Sequence, residues 1–203
     1  MAEQTYIPYA HHTFNPWIGC APVSPGCENC YAERQNNHWG WVLDWEKERR
    51  ITSATNWNLP KRLDRKAAKE GVRRRVLCGS LCDWLDPTVP PDWRGYLIDL
   101  IKETPNLDWL LLTKRAEWLY DHAPRLPNAW IGVTAENQAT YNERVPLLME
   151  ISAPVRFISV EPMLGPVELH QAKPDWIIAG GESGPNARRC EKEWLRALRQ
   201  QCW

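Results

Sequence analysis

Trp109-Leu110-Leu111-Leu112-Thr113, Trp130-Ile131-Gly132-Val133-Thr134 and Val155-Arg156-Phe157-Ile158-Ser159-Val160 are three short apolar runs, each carrying aromatic or β-branched residues. Between them, 115–122 and 138–151 have helical character. Strand, helix, strand in succession argues for a parallel sheet covered by helices. The alternation extends outward in both directions. A run at 75–80 comes earlier, with a helix predicted over 91–104 whose first turn accommodates Pro90 or Pro91. A run at 176–179 comes later, followed by a helix over 191–202. A short strand at 13–17 opens the sheet. The expected fold is α/β, a partial (β/α)6-type TIM-like barrel with parallel strands and outer helices. The 203 residues fall short of the about 250 that a full eight-fold barrel usually takes. One domain over 1–203 is expected, with 38–74 a helical insertion. That insertion holds Trp39, Trp41, Trp45 and Trp57, then a charged amphipathic helix along Leu63, Ala67 and Ala68 that stops at Gly71.

Right-handed crossovers place every strand's C-terminal end on one edge, where such folds keep their active sites. The residues there are polar: Ser80, Cys82 and Asp83; Thr113, Lys114 and Arg115; Thr134 and Glu136; Ser159 and Glu161; Gly180, Gly181 and Glu182. The opposite edge, at 124–128 and 153–154, carries fewer acids and bases.

Ahead of this pattern stands a loop, Gly19-Cys20-Ala21-Pro22-Val23-Ser24-Pro25-Gly26-Cys27-Glu28-Asn29-Cys30-Tyr31. Its prolines and glycines forbid a long helix or a central strand. Such a loop can wrap Cys20, Cys27 and Cys30 around one point. Thiolates suit iron–sulfur clusters and zinc. Three of them, with no fourth at short spacing, leave one ligand position open. The other four cysteines read differently. Cys78 and Cys82, on one face of an extended run, suit core packing, Cys78 more so, or would reach the rim or hold a second metal, and Cys190 and Cys202 lie near the last helix. His11 and His12, being adjacent, point to opposite faces and suit local structural roles.

Composition sets the remaining bounds. Apolar residues make up 43% and charged residues 25%, with zero net charge. That is an ordinary globular balance, without the basic excess of a dedicated nucleic-acid binder. No apolar run reaches the about 18 residues of a membrane span, so no membrane partner is expected. Met1 to Ala10 lacks the pattern of a secretory leader. Seven clustered cysteines then point to metal ligation in a reducing cytoplasm rather than to disulfides. Most of the 13 tryptophans are expected to anchor the core.

The chain resembles radical S-adenosylmethionine enzymes, which place three cysteines in a loop after the first strand of a β/α barrel. More closely, it resembles a phage- and prophage-associated three-cysteine family of unknown function. The resemblance rests on Phe14-Asn15-Pro16, Gly19-Cys20, residues 23–33, 111–115 and 131–134, Phe157-Ile158-Ser159-Val160-Glu161-Pro162, and Gly180-Gly181-Glu182-Ser183-Gly184-Pro185. It implies a radical-SAM kind of barrel, with a [4Fe–4S] cluster on Cys20, Cys27 and Cys30 whose open iron binds S-adenosylmethionine (AdoMet). It further implies one-electron cleavage to a 5′-deoxyadenosyl radical, an electron-donor protein, a nucleotide, nucleobase or nucleic-acid substrate, and the cytoplasm of a bacterial host of phage or prophage. AdoMet would then meet Tyr31, Lys114, Arg115, Thr134, Ser159, Glu161, Gly180, Gly181 and Glu182. Two features depart from the enzyme pattern. The first cysteine gap is six residues where three is usual, and Gly180-Gly181-Glu182 follows a late strand rather than the second. The family pattern also runs past Trp203, with a final strand expected there.

Other readings of the same residues stay open. The three cysteines and a histidine would make a structural zinc site in an interaction or nucleic-acid-associated module. A barrel without turnover is another. Glu161 and Glu182 would serve equally as structural partners of Arg115 or Arg188.

Overall fold

A computed structural model of the chain describes residues 4–203. The part of the leader reading that falls on residues 1–3 lies outside the described residues. In order come β1 (His12–Phe14), β2 (Trp17–Ile18), α1 (Tyr31–Trp39), β3 (Arg50–Ile51), α2 (Ala54–Glu70), β4 (Arg74–Cys78), α3 (Pro91–Lys102), β5 (Leu107–Thr113), α4 (Leu119–His122), β6 (Ala129–Thr134), α5 (Gln138–Glu150), β7 (Arg156–Val160), β8 (Trp176–Ala179) and α6 (Lys192–Gln201). Six of the strands form one sheet in the order β1-β4-β5-β6-β7-β8. Every neighbouring pair is parallel. Each crossover advances in the same direction, the winding that curls a sheet into a barrel and avoids the reversal of a doubly wound sheet. The α/β partial barrel with outer helices is thus the architecture adopted.

Local departures from the sequence reading have physical causes. The opening strand is not one run over 13–17. Residues 12–14 join the sheet, and β2 leaves it to pair antiparallel with β3. Pro16 lies between them and lacks the N–H that a continuing ladder requires. The segment 38–74 takes in the end of α1, a wrap that contains β3, then α2 and the first residue of β4. Residues 54–70 are α2, an integral crossover between β1 and β4 that begins at Ser53, whose hydroxyl accepts from the Asn56 amide at 3.3 Å. Pro60, inside that helix, hides the early start from sequence inspection. The preceding stretch is a wrap in which Val42 and Trp45 are buried with Ile18 and Ala32 against Cys20 and Cys30. The predicted helix over 115–122 is a 3-10 turn running into α4, and no helix lies between β7 and β8.

Alternation along the strands gives the sheet two apolar faces. Val76, Trp109, Leu111, Ile131, Val133, Ile158 and Val160 pack with Leu97, Ile101 and Leu148 of the helices. Cys78 belongs to this helix-side core, as its sequence context indicated. The concave face carries Leu77, Leu110, Phe157 and Ile178, with Leu112, Trp130 and Trp176. Ile7, Tyr9 and Ala10 cover these residues. The Tyr9 ring meets Trp176 edge-on at 6.1 Å, so this strap reaches from the β1 edge across to β8. Trp17, Trp84 and Trp109 are fully buried anchors, whereas Trp130 and Trp176 are half-buried in the concave stack. His11 has a local role, its Nδ1 accepting from the Arg75 amide at 2.9 Å.

Gly132 makes the concave face close-packed. A Cβ there would lie 2.4 Å from the Phe157 ring. Gly132→Val should therefore lower stability by about 1–3 kcal/mol through overpacking. Urea denaturation should show an earlier midpoint with an unchanged slope.

Candidate functional site

The C-terminal ends of the parallel strands open into one cavity of about 590 Å³, and Cys20, Cys27 and Cys30 all line it. Tyr31, Lys114, Arg115, Thr134, Ser159, Glu161 and Gly181 share its wall. Gly180 and Glu182 stand outside that lining. A Cβ on Gly180 would come within 3.0 Å of Glu161 Oε1, so the glycine lets that carboxylate lie against the backbone. Other hollows among the described residues include one of about 670 Å³ between α5 and the chain before β8, and one of about 820 Å³ around His11 and His12. Neither touches the three cysteines.

Buried charges at the strand ends hold the cysteine loop. After β4, Asp83 accepts from Thr113 Oγ1 at 2.7 Å and the Lys114 amide at 2.9 Å, tying β4 to β5. Asp83 also takes Arg115 Nη1 at 3.1 Å. Arg115 Nη2 donates to the Ala21 carbonyl at 2.9 Å, and Nη1 stands 3.8 Å from Cys20 Sγ. Beyond β6, Glu136 is fully buried. It accepts from the Ser24 hydroxyl and from Arg144 Nη1, the latter at 3.1 Å. Gly26 is needed beside it, because a Cβ would meet the Glu136 side chain at 2.4 Å. Beyond β8, Glu182 Oε2 accepts from Asn29 Nδ2 at 3.0 Å and from Arg188 Nε at 2.9 Å. Arg188 reaches on to Glu28 at 2.8 Å and the Pro25 carbonyl at 2.9 Å. Tyr31 donates to the Ser80 carbonyl at 2.8 Å.

These contacts divide the strand-end residues. Arg115 and Glu182 are engaged in holding the loop; the structural pairing of Glu182 with Arg188 is the one formed. Lys114 and Glu161 face the cavity more freely. Among the described residues the Lys114 ammonium forms no ion pair, and the Glu161 carboxylate has the Tyr9 hydroxyl at 3.4 Å. Burial raises the Glu161 pKa against the opposing effects of Tyr9 and Lys114. Burial likewise pushes the Cys20 thiol up to about 12, with Asp83 adding to it and Arg115 opposing. At neutral pH that thiol keeps its proton, so ligation of a metal there releases one. For Glu136, burial acts upward but Lys114, Ser24 and Arg144 together bring the pKa below its ordinary value.

Sequence inspection finds the strand ends and the thiols but not the loop-holding work of Asp83, Glu136 and Arg144. The available signal is an acid shortly past a strand, two residues after β6 for Glu136 and five after β4 for Asp83. Tyr9 lies in a stretch with no periodicity and carries no such signal.

Among the described residues, no three His, Cys, Asp or Glu side chains form a site for a single metal ion. Two of the thiols have separate neighbours: Cys20 has Arg115, and Cys27 has its Sγ 4.0 Å from Ser24 Oγ. An iron–sulfur cluster binds its thiolates at separate irons. The donors are soft, they share one cavity, and Val42 and Trp45 form an apolar jacket behind Cys20 and Cys30. This set fits such a cluster.

Fold and site together define a singly wound parallel α/β half-barrel with a clamped three-thiol loop over its strand ends. The chain belongs to the family described as "Protein of unknown function (DUF5131)", whose model matches residues 4–203. No curated protein sequence matches it. In fold it is similar to spore photoproduct lyase. One such structure is a double mutant with bound AdoMet and dinucleoside spore photoproduct, at TM-score 0.52 and 15% identity, covering 77% of this chain and 47% of that chain. Another is the lyase complexed with dinucleoside spore photoproduct, at TM-score 0.52 and 15% identity, again covering 77% and 47%. The chain thus spans just under half the length of these proteins. No helix among the described residues is long and apolar enough to cross a membrane.

The Glu182–Arg188 pair predicts a pH dependence. Arg188 holds the Glu182 carboxyl down to about 2, below its ordinary 4.5. A depressed acid stabilises the fold above its unfolded pKa and loses that contribution as pH falls through the folded one. Wild type should exceed Glu182→Gln in stability above pH 4.5, and the gap should close as pH falls toward 2. Denaturation midpoints of both proteins across that range measure it.

Proposed function

We propose that this chain is a radical AdoMet enzyme, with a [4Fe–4S] cluster on Cys20, Cys27 and Cys30 and a nucleobase, nucleotide or nucleic-acid substrate. The observation that carries the reading is the sharing of one cavity by three loop thiols and the polar ends of parallel strands. The fold shared with a lyase that binds AdoMet supports it.

The chemistry such a cluster supplies when bound is one-electron cleavage of AdoMet to a 5′-deoxyadenosyl radical, with the electron drawn from a donor protein in a reducing cytoplasm. The protein supplies binding, orientation and exclusion of water. Glu161 accepts the methionine ammonium, since its carboxylate lines the cavity with only a tyrosine hydroxyl as partner. Lys114 meets the methionine carboxylate, because Arg115 is already engaged by Asp83 and Ala21. Tyr31, its hydroxyl pinned to Ser80, offers a fixed ring to the adenine. Thr134 and Ser159, each 1% exposed, present hydroxyls from neighbouring strands. The Gly181 backbone, at the cavity wall, permits close approach of the cofactor, while Gly180 makes room for Glu161. Glu182 acts by holding the loop. At the cavity wall, Tyr6 is an exposed aromatic on which a base can stack.

Anaerobic reconstitution with iron and sulfide should give a brown protein, which after reduction releases 5′-deoxyadenosine from AdoMet. Cys27→Ala should fail to load iron and Cys190→Ala should load it fully. A colourless protein carrying stoichiometric zinc after purification without oxygen would overturn the reading. Glu161→Gln should load iron normally yet bind AdoMet about tenfold more weakly, the loss of roughly 1.5 kcal/mol from one charge-assisted hydrogen bond. Equilibrium binding measures that change.

A further inference from the structure

We propose that Arg115 sets the reduction potential of the cluster, an inference that rests on the reading of the three thiols given above. The guanidinium is a buried, fixed cation beside one ligand. Its side chain is 5% exposed, and Nη1 lies 3.8 Å from Cys20 Sγ. Asp83 holds it at 3.1 Å and the Ala21 carbonyl at 2.9 Å. Asp83 is itself fixed by Thr113 Oγ1 at 2.7 Å and by the Leu85 and Lys114 amides, each at 2.9 Å. The guanidinium therefore has no room to swing away from the sulfur.

Such a group acts on a cluster in two ways. Its N–H draws electron density from the thiolate sulfur, and its positive charge favours the extra negative charge of the reduced state. Both raise the potential, as hydrogen bonds to cluster sulfurs do in general. Low exposure strengthens the effect, because charge interactions grow as water is excluded. The acids behind Arg115 oppose it in part. Asp86 stands 3.9 Å from Nη2, but its carboxylate is taken mainly by Arg49, at 2.7 Å, and by Thr88. Asp83 acts on the same sulfur in the opposite sense, so removing the guanidinium would leave that acid unopposed beside Cys20. Cys27 differs, since the neighbour of its sulfur is the neutral Ser24 hydroxyl. Cys20 is the ligand through which the protein would bias the couple. Lysine cannot replace this arrangement in full, because only the guanidinium fork bonds an acid, a carbonyl and a sulfur together.

The couple involves one electron, given by dithionite in the test, and no protein bond forms or breaks. Wild type, Arg115→Lys, Arg115→Gln and the exposed control Arg196→Gln are reconstituted anaerobically. Iron and sulfide per chain are measured first, then the midpoint potential by redox titration followed by the electron spin resonance of the reduced cluster. The expected order of midpoints is wild type, then Arg115→Lys, then Arg115→Gln as the most negative. At a fixed potential the Gln variant should hold at least threefold less reduced cluster relative to oxidised, about 28 mV at 59 mV per tenfold. Arg196→Gln should match wild type. Normal loading with unchanged midpoints would overturn the proposal. So would loss of loading in both Arg115 variants, which would make the residue a brace for the loop alone. If wild type takes up no cluster, the reading of the thiols fails, a result distinct from either of these.

Discussion

A loop of prolines, glycines and thiols has little reason to keep one shape unless something grips it. Here the grip comes from ions at the strand ends, those around Arg115 and Glu136 buried and Arg188 partly exposed. Arg115 joins Asp83 to Ala21, Glu136 joins Arg144 to Ser24, and Glu182 joins Arg188 to Asn29. Three separate strand ends thus fasten three points of the same loop. Burying such charges is expensive and is tolerated only when each has its partners. Networks of this kind specify one arrangement rather than add much stability, and here Arg144 Nε is left buried without a partner. The site's geometry depends on that specification, because between Gly19 and Cys30 the loop has only one 3-10 turn of its own, Pro25–Cys27, before α1 begins at Tyr31.

The same strands change character along their length. On the concave face, Leu110, Trp130, Phe157 and Trp176 fill the barrel interior, and farther along the same face Thr134, Ser159 and Glu161 turn polar. A full barrel would close this interior by its own hydrogen bonds. Six strands leave a gap, and Ile7, Tyr9 and Ala10 cover the apolar part of it. Tyr9 marks the boundary between the two regions, with its ring against Trp176 and its hydroxyl toward Glu161.

Much of this was legible in the sequence because periodicity is a local property. The strands at 109–113, 130–134 and 155–160 declare themselves as short apolar runs between helix-like segments, and the handedness of the crossovers puts their C-terminal ends on one edge. The polar strand ends could be placed on one rim for the same reason. Partner choice could not, because it depends on distances between segments far apart in the chain. Arg115 reads as a ligand for a carboxylate when seen alone, yet Asp83 and Ala21 occupy it. Glu182 meets Arg188 six residues later and Asn29 at a separation of 153. Pro60 concealed the start of α2, and Pro16 split what looked like one opening strand.

The covering strap also bears on the order of assembly. Tyr9 and Glu161 are separated by 152 positions, and Trp176 is more distant still. Contacts of that separation form late, since loop-closure entropy must be met before they repay it. During synthesis the strap leaves the ribosome well before β8, but its berth exists only once β8 has emerged and docked. Until then, the apolar floor of the half-barrel is exposed, and a nascent chain stalled before β8 is the form most prone to aggregate.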